Sequence, residues 1–150
     1  MATYFQFEAD FVESLRCIPM QVRFKLDTCG IKLKLNQWNR FNQQERESLV
    51  DLPCASESEI LAYRQFLCEL IEKHTGSTAT NLPVEPQPAW LEAEVIPDSV
   101  LAKGQVAGVA ISTEQWAELT PLQRFALLKL SRSGHENHNF LPALQEFQLA

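Results

Sequence analysis

The feature that most limits the possible folds is a repeat within the chain. Residues 18–52 and 96–130 align without a gap at a separation of 78 positions, and ten of the 35 aligned positions are identical. The identical residues include Gly30, Gly108, Trp38 and Trp116. Shared glycines and tryptophans indicate a shared folding task, so we predict two related structural units in one chain.

Both copies carry the same signals for the start of a helix. Asn42 is followed three residues later by Glu45, and Thr120 is followed by Pro121 and then by Gln123. Such a pair is typical of a capping box, in which each side chain accepts a hydrogen bond from the other residue's backbone N–H. We therefore predict that helices begin at the same place in both copies.

A third box predicts a longer helix. Ser56 precedes Glu59 by three residues, and apolar residues then recur at helical spacing until Gly76, where a glycine typically ends a helix. Segment 22–27, VRFKLD, is ambiguous, because its alternation also fits half of a β-hairpin. The second copy, VLAKGQVA, does not alternate, and this favours a helix that ends at Gly30.

Each glycine is followed by a few residues of extended character, IKLK at 31–34 and VAIS at 109–112. We predict that these two segments form one short antiparallel pair at a pseudo-twofold axis. The fold class is then mainly α: a single helical domain, 1–150, built from pseudo-twofold-related units of about residues 10–75 and 94–150.

The region between the units, 76–93, contains Pro83, Pro86 and Pro88. We expect an extended linker that is neither helix nor sheet. Trp90 lies within it and either pins the linker to the body of the protein or anchors a partner; pinning is the favoured interpretation.

Composition excludes several classes of protein. The formal net charge is −6, which argues against nucleic-acid binding, and no apolar run approaches the roughly 20 residues of a membrane span. The four cysteines form no C-x-x-C pair, and the N-terminus has no signal-peptide pattern. We expect a cytoplasmic protein without a membrane partner.

Positive charge is concentrated in one segment. Residues 16–40 hold six basic residues and one acidic residue, a local balance of +5 that leaves −11 for the other residues. Such a segment is either an ordinary solvated face or a surface that attracts an acidic partner. The partner-binding candidates here are Arg16, Arg23, Lys25, Lys32 and Lys34.

A second dense polar tract, 131–144, has no counterpart in the first copy. It adds five partner-binding candidates, Arg132, His135, Glu136, Asn137 and Asn139. His135 and His138 are candidate metal ligands, but the further ligands that zinc needs are not at the usual spacing, so we expect no metal site. In the alternative interpretation, Asn137 or Asn139 caps the last helix.

Motifs for catalysis are absent from the sequence. There is no G-x-S-x-G, no phosphate-binding loop and no G-x-G-x-x-G, and the cysteines lie among apolar residues, where they typically serve as small buried side chains. We expect no catalytic residue and no cofactor of the chain's own.

Three blocks carry a family resemblance: FQFEADFVESLRCIPMQVRFKLDTCGIKL, AYRQFL, and EQWAELTPLQRFALLKLSRSGHENHNFLPAL. They resemble the small cyanobacterial nitrate-reductase-associated protein family over nearly the whole chain outside the linker. The resemblance implies association with assimilatory nitrate reductase, a cytoplasmic molybdopterin and iron–sulfur enzyme with ferredoxin as donor. Members of the family are not known as reductases themselves.

The resemblance therefore predicts a non-catalytic accessory protein that binds nitrate reductase, either as an activating subunit or as a chaperone during cofactor insertion. Two alternatives remain open: a small metal or cofactor carrier that uses His135 and His138, and a regulator of another protein.

Overall fold

The protein is mainly helical. A computed structural model describes residues 5–8, 15, 17–132 and 139–150, and these contain eight α-helices and one two-stranded antiparallel sheet. The α-helices are Met20–Cys29 (α1), Leu35–Arg40 (α2), Gln43–Asp51 (α3), Glu57–Thr75 (α4), Asp98–Val106 (α5), Thr113–Glu118 (α6), Pro121–Arg132 (α7) and Phe140–Glu146 (α8). The strands are Ile31–Lys32 (β1) and Thr80–Asn81 (β2), and short 3-10 helices span Gln6–Glu8 and Ala89–Leu91. The prediction of a mainly α fold is confirmed.

Helix α1 settles the ambiguity over segment 22–27. The Pro19 carbonyl accepts hydrogen bonds from the N–H groups of Val22 and Arg23, both at 3.0 Å, and so begins the helix. Gly30 ends it in the left-handed conformation, with φ 79°, and donates its N–H to the Leu26 carbonyl at 2.9 Å. The helical interpretation is confirmed and the hairpin excluded.

The three predicted capping boxes are formed. They pair Asn42 with Glu45, Ser56 with Glu59, and Thr120 with Gln123. Helix α4 follows the second box and ends at Gly76, which has φ 69°. The boxes satisfy N–H groups that have no partner within the helix, so the helix starts are encoded locally.

The predicted partner of the first extended segment is wrong. Strand β1 pairs antiparallel with β2, in the register Ile31 to Asn81 and Lys32 to Thr80, and residues 109–112 are in no strand. The Leu82 N–H also donates to the Gly30 carbonyl at 2.8 Å. After α4 ends, the chain returns past the end of α1, so the backbone groups of β1 are paired within the first unit.

The linker prediction is also wrong in its detail, since region 76–93 contains β2 and the 3-10 helix Ala89–Leu91. The chain divides within this region into two compact units: the described residues of Glu8–Val84, and Phe5–Phe7 with Glu85–Ala150. We call them the first and second unit. The single domain and its pseudo-twofold symmetry stay predictions.

The core of the first unit is built around a buried tryptophan. The Trp38 side chain is inaccessible to solvent, and its Nε1 donates to the Leu15 carbonyl at 2.8 Å. Tyr63 of α4 is buried in the same apolar cluster and donates its hydroxyl to the Leu49 carbonyl of α3 at 2.7 Å. Burial raises the pKa of the Tyr63 phenol well above its ordinary value. The Tyr63 hydrogen bond fixes α3 and α4 against each other.

The core of the second unit also contains a buried tryptophan that donates to a backbone carbonyl. Trp116 is inaccessible to solvent, and its Nε1 donates to the Glu92 carbonyl at 2.9 Å. Trp90 is buried and packs edge-on against Phe125, with ring centroids 5.0 Å apart. The structure therefore supports pinning of Trp90 to the body of the protein.

The helices of the two copies begin in register. Helices α1, α2 and α3 begin at residues 20, 35 and 43, and α5, α6 and α7 begin at 98, 113 and 121. The separation of 78 positions is the same in all three pairs. The alignment of residues 18–52 with 96–130 thus has a counterpart in local structure, and an internal duplication remains our interpretation of it.

Candidate partner-binding surface

A tight turn at Gly30 joins α1 to β1, which carries the first exposed lysine of the basic segment. A Cβ atom at Gly30 would lie 2.8 Å from Cγ2 of Val84 and 3.0 Å from the Leu82 carbonyl oxygen. Both the left-handed backbone and the close approach of residues 82–84, which follow β2, therefore require glycine at this position. The turn sets where the following lysines emerge.

Arg64 of α4 holds the turn in place. Its NH1 donates to the carbonyls of Cys29 and Gly30 at 2.8 and 3.0 Å, and its NH2 donates to Oδ1 of Asn81 in β2. One guanidinium thus joins α4, the end of α1 and the sheet. Charged donors make stronger hydrogen bonds than neutral ones, so the segment that follows has a rigid base.

The extended backbone after the turn separates apolar from basic side chains. Ile31 is inaccessible to solvent and Leu33 is half-buried, whereas Lys32 and Lys34 are exposed. Alternate side chains of an extended segment point to opposite sides, so burial of the apolar pair places both lysines in water. The alternation ends at Leu35, which the sequence pattern places with the apolar pair but which is exposed at the start of α2.

Lys34 lies beside a polar cleft of about 280 Å³. The cleft lies between α2 and the end of α4, and its lining residues are Lys34, Asn36, Gln37, Arg40, Thr75 and Ser77. Arg40 is exposed and donates from NH1 to the His74 carbonyl at 3.1 Å. We call Lys32, Lys34 and Arg40 the basic surface.

The charge of the basic surface is not neutralised locally. Among the residues that the structure describes, none of its three side chains forms an ion pair with a carboxylate. The neighbouring side chains of Lys73 and His74 differ: they lie 3.4 and 2.8 Å from the carboxylate oxygens of Glu45. The basic surface therefore has positive charge available to a partner.

Glu45 is held in its charged form. Burial raises the pKa of its carboxyl. Hydrogen bonds from the Asn42 N–H and from the side chains of His74 and Lys73 together lower the pKa by more, so it lies below the ordinary value. Glu45 thus fixes the limit of the positive region on the side of α4.

A family model described as "Conserved nitrate reductase-associated protein" matches residues 4–147. The chain belongs to this family. No curated protein and no solved structure matches the chain at a significant level. The family and its association with nitrate reductase, which the sequence blocks predicted, are thereby supported by an independent comparison.

Lys25 is not part of the exposed positive charge of the protein. It is buried, and its Nζ donates to the carbonyls of Val50 and Leu52, both at 2.6 Å, with the Tyr63 ring 5.6 Å away. Burial lowers the pKa of its amine, while Cys54 and Asp51 oppose that shift. Lys25 caps the end of α3 from within, and we leave it out of the proposed interface.

The remaining candidates lie in both units or outside the described residues. Arg23 is half-buried and donates from Nε to the Ile18 carbonyl at 3.1 Å, and Arg132 is exposed at the end of α7. Asn139 is half-buried at the start of α8, where its side chain makes no capping hydrogen bond. Four other residues of the sequence prediction lie outside the described residues: Arg16, His135, Glu136 and Asn137, as does the second candidate metal ligand, His138.

Arg40 was counted in the basic segment of the sequence but was not among the predicted interface residues. Lys34 immediately precedes α2 and Arg40 is its last residue. Because α2 is only six residues long, its two ends lie close together, and both side chains line the cleft. A basic residue six positions after Lys34, with Trp38 between them, is the sequence signal that could have identified Arg40.

Two further kinds of site were sought in the described ranges. No group of three or more His, Cys, Asp or Glu side chains is arranged there to hold a metal ion. No helix within the same ranges is long and apolar enough to cross a membrane.

Proposed function

We propose that this chain is a non-catalytic accessory protein that binds assimilatory nitrate reductase in the cytoplasm and supports its activity or maturation. The family match over residues 4–147 supports the association. The observation that carries the mode of binding is the exposed, unneutralised charge of Lys32, Lys34 and Arg40 on a rigid base.

The contrast in charge favours a specific, oriented encounter. The chain as a whole carries −6, so an acidic partner is repelled by most of the molecule and attracted only where the positive side chains are exposed. Complementary charge of this kind raises association rates and fixes orientation more than it adds affinity. We therefore expect an acidic patch on the reductase to face the basic surface.

The backbone that carries the basic surface is held by hydrogen bonds within the first unit. The hydrogen bonds of Arg64 hold the turn and the sheet, and that of Arg40 links α2 to the end of α4. A surface that is already ordered loses less conformational entropy on binding than a flexible one. This supports docking of the intact unit and not folding on contact.

Binding of the purified proteins tests the proposal. The tagged chain should retain nitrate reductase at low salt, and the double variant Lys32→Glu with Lys34→Glu should weaken binding about tenfold or more, as should Arg40→Glu. Lys103→Glu, a charge reversal on α5 in the second unit, is the matched control and should change binding less than about twofold. Unchanged binding of the double variant would remove the basic surface from the proposal, and no binding by the native chain would overturn the association.

The stage at which the reductase is bound separates the two modes of action. An activating subunit should be retained by the mature, cofactor-loaded enzyme and should raise its turnover. A maturation chaperone should bind the cofactor-free enzyme more tightly and leave it once molybdopterin and iron–sulfur clusters are inserted. Parallel titrations of the two enzyme forms measure this difference.

A further inference from the structure

A second feature of the first unit is an apolar groove at the C-terminal end of α3. It has a volume of about 580 Å³ and lies between the end of α3 and the first half of α4. Its lining residues are Ser48, Leu52, Pro53, Ser58, Glu59, Ala62, Tyr63 and Phe66. We call this feature the apolar groove.

The groove has a firm floor and accessible walls. Tyr63 is almost fully buried and fixed by its hydroxyl bond to Leu49, so its ring cannot swing out to fill the space. Leu52, Pro53 and Ala62 are exposed. Apolar surface arranged around a concave space, and not scattered singly, is typical of a binding site.

The groove has an acidic rim at Glu59, and the surrounding sequence is also acidic. Between residues 47 and 69 the chain has five carboxylates and one basic residue, Arg64. The Arg64 guanidinium is directed to the Cys29 and Gly30 carbonyls and to Asn81, so it does not offset the rim. Glu59 lines the groove itself, and its pKa is lowered by hydrogen bonds from the N–H groups of Ser56 and Ala55, which keeps it charged.

We infer that the apolar groove binds a short amphipathic segment of a partner protein, whose apolar side chains enter between α3 and α4 while its Lys or Arg side chains face the acidic rim. A helix that places apolar residues at i and i+4 on one face has the shape for a groove between two helices. The sign of the charge is opposite to that of the basic surface. The two features therefore select different partner surfaces, and this inference does not depend on the proposed function.

A synthetic peptide probes the groove directly. The probe is an alanine-based helical peptide of about 15 residues, with leucines at i and i+4 and flanking lysines; its control has glutamates in place of the lysines. Fluorescence anisotropy with the full chain should show the lysine peptide binding about tenfold or more tightly than the control. The difference should shrink as salt rises to about 0.5 M, because salt screens exposed charges.

Two variants of α4 locate the site. Ala62→Trp fills the groove and should weaken binding of the lysine peptide about tenfold or more. Leu61→Trp introduces the same side chain at the neighbouring exposed position, which is not part of the lining, and should change binding less than about twofold. Urea unfolding of both variants confirms that each is folded.

Three results would overturn the inference. Equal binding of the two peptides would exclude selection by the rim, and equal loss in both variants would place the peptide elsewhere. Sedimentation that shows a dimer of the native chain, dissolved by Ala62→Trp, would assign the groove to a second copy of this chain.

Discussion

The Arg124 guanidinium donates to the Trp116 carbonyl at 3.3 Å, and the same relationship, 78 positions earlier, joins Arg46 to Trp38 at 3.2 Å. In each unit the arginine lies on the helix that follows the tryptophan's own short helix, and it bonds the carbonyls where that short helix ends. The four C-terminal carbonyls of a helix lack partners within the helix, so the arginine supplies donors that the backbone does not. Both arginines belong to the ten identical positions of the repeat.

Arg124→Met should destabilise the protein more than Arg46→Met. Arg124 is buried and also donates to the carbonyls of Trp90 and Leu119 at 2.7 and 2.8 Å, whereas Arg46 is half-buried and its bonds are partly exposed. We expect the loss of these hydrogen bonds to lower the free energy of unfolding by about 3 kcal/mol at Arg124 and by about 1 kcal/mol at Arg46. Urea unfolding monitored by tryptophan fluorescence measures both. Equal losses would show that burial of Arg124 does not matter.

Gly30→Ala should cost more stability than Gly108→Ala, although both glycines have nearly the same left-handed backbone, with φ 79° and 77°. The strain of a left-handed alanine is shared and amounts to about 1–2 kcal/mol. At Gly30 the added Cβ also meets Val84 and Leu82, whereas at Gly108 it meets nothing within 4 Å. We expect an additional loss of about 1–2 kcal/mol for Gly30→Ala. Thermal or urea unfolding of the two variants checks the difference.

The helix boundaries could be predicted from the sequence because the residues that set them lie close by in the chain. Capping boxes, a proline before α1 and glycines after α1 and α4 act within a few residues of the helix ends they set. The partner of β1 was not readable, because Gly30 and Leu82 lie 52 positions apart and β2 has only two residues. No short-range pattern reports which backbone groups meet at that distance.

The candidate surface was readable only in part, for a related reason. Alternation of apolar and basic residues after Gly30 indicated that Lys32 and Lys34 are exposed. The sequence contains no comparable signal that Lys25 turns inward to the Val50 and Leu52 carbonyls, because that contact depends on how α1 packs against α3. Charge in a helix can thus serve the interior as well as the surface.

The buried thiol of Cys54 should make stability fall at alkaline pH. Burial raises its pKa from 9.0 to about 12, so the folded protein keeps the proton that the unfolded chain releases. The contribution is fully present below about pH 9 and is lost as pH rises through 12. The stability advantage of the native chain over Cys54→Ala should therefore shrink as pH rises from about 9 to about 11, measured by urea unfolding at each pH. An advantage that stays constant over this range would contradict the assignment.

Glu45→Gln should destabilise the protein and strengthen partner binding. Glutamine keeps the capping box but loses the charge that pairs with His74 and Lys73, so we expect a loss of about 1 kcal/mol at pH 7. Because the folded carboxyl has a lowered pKa, this contribution is present above the unfolded value of 4.5 and disappears as pH falls below it. Without the Glu45 charge, the Lys73 cation should extend the basic surface and tighten nitrate reductase binding about threefold at low salt. The matched control is Glu47→Gln, which removes the charge of an exposed side chain on the same helix. This variant should change neither the stability nor the binding measurably. Equal effects of the two variants on binding would show that only the net charge matters, and not the position of Glu45.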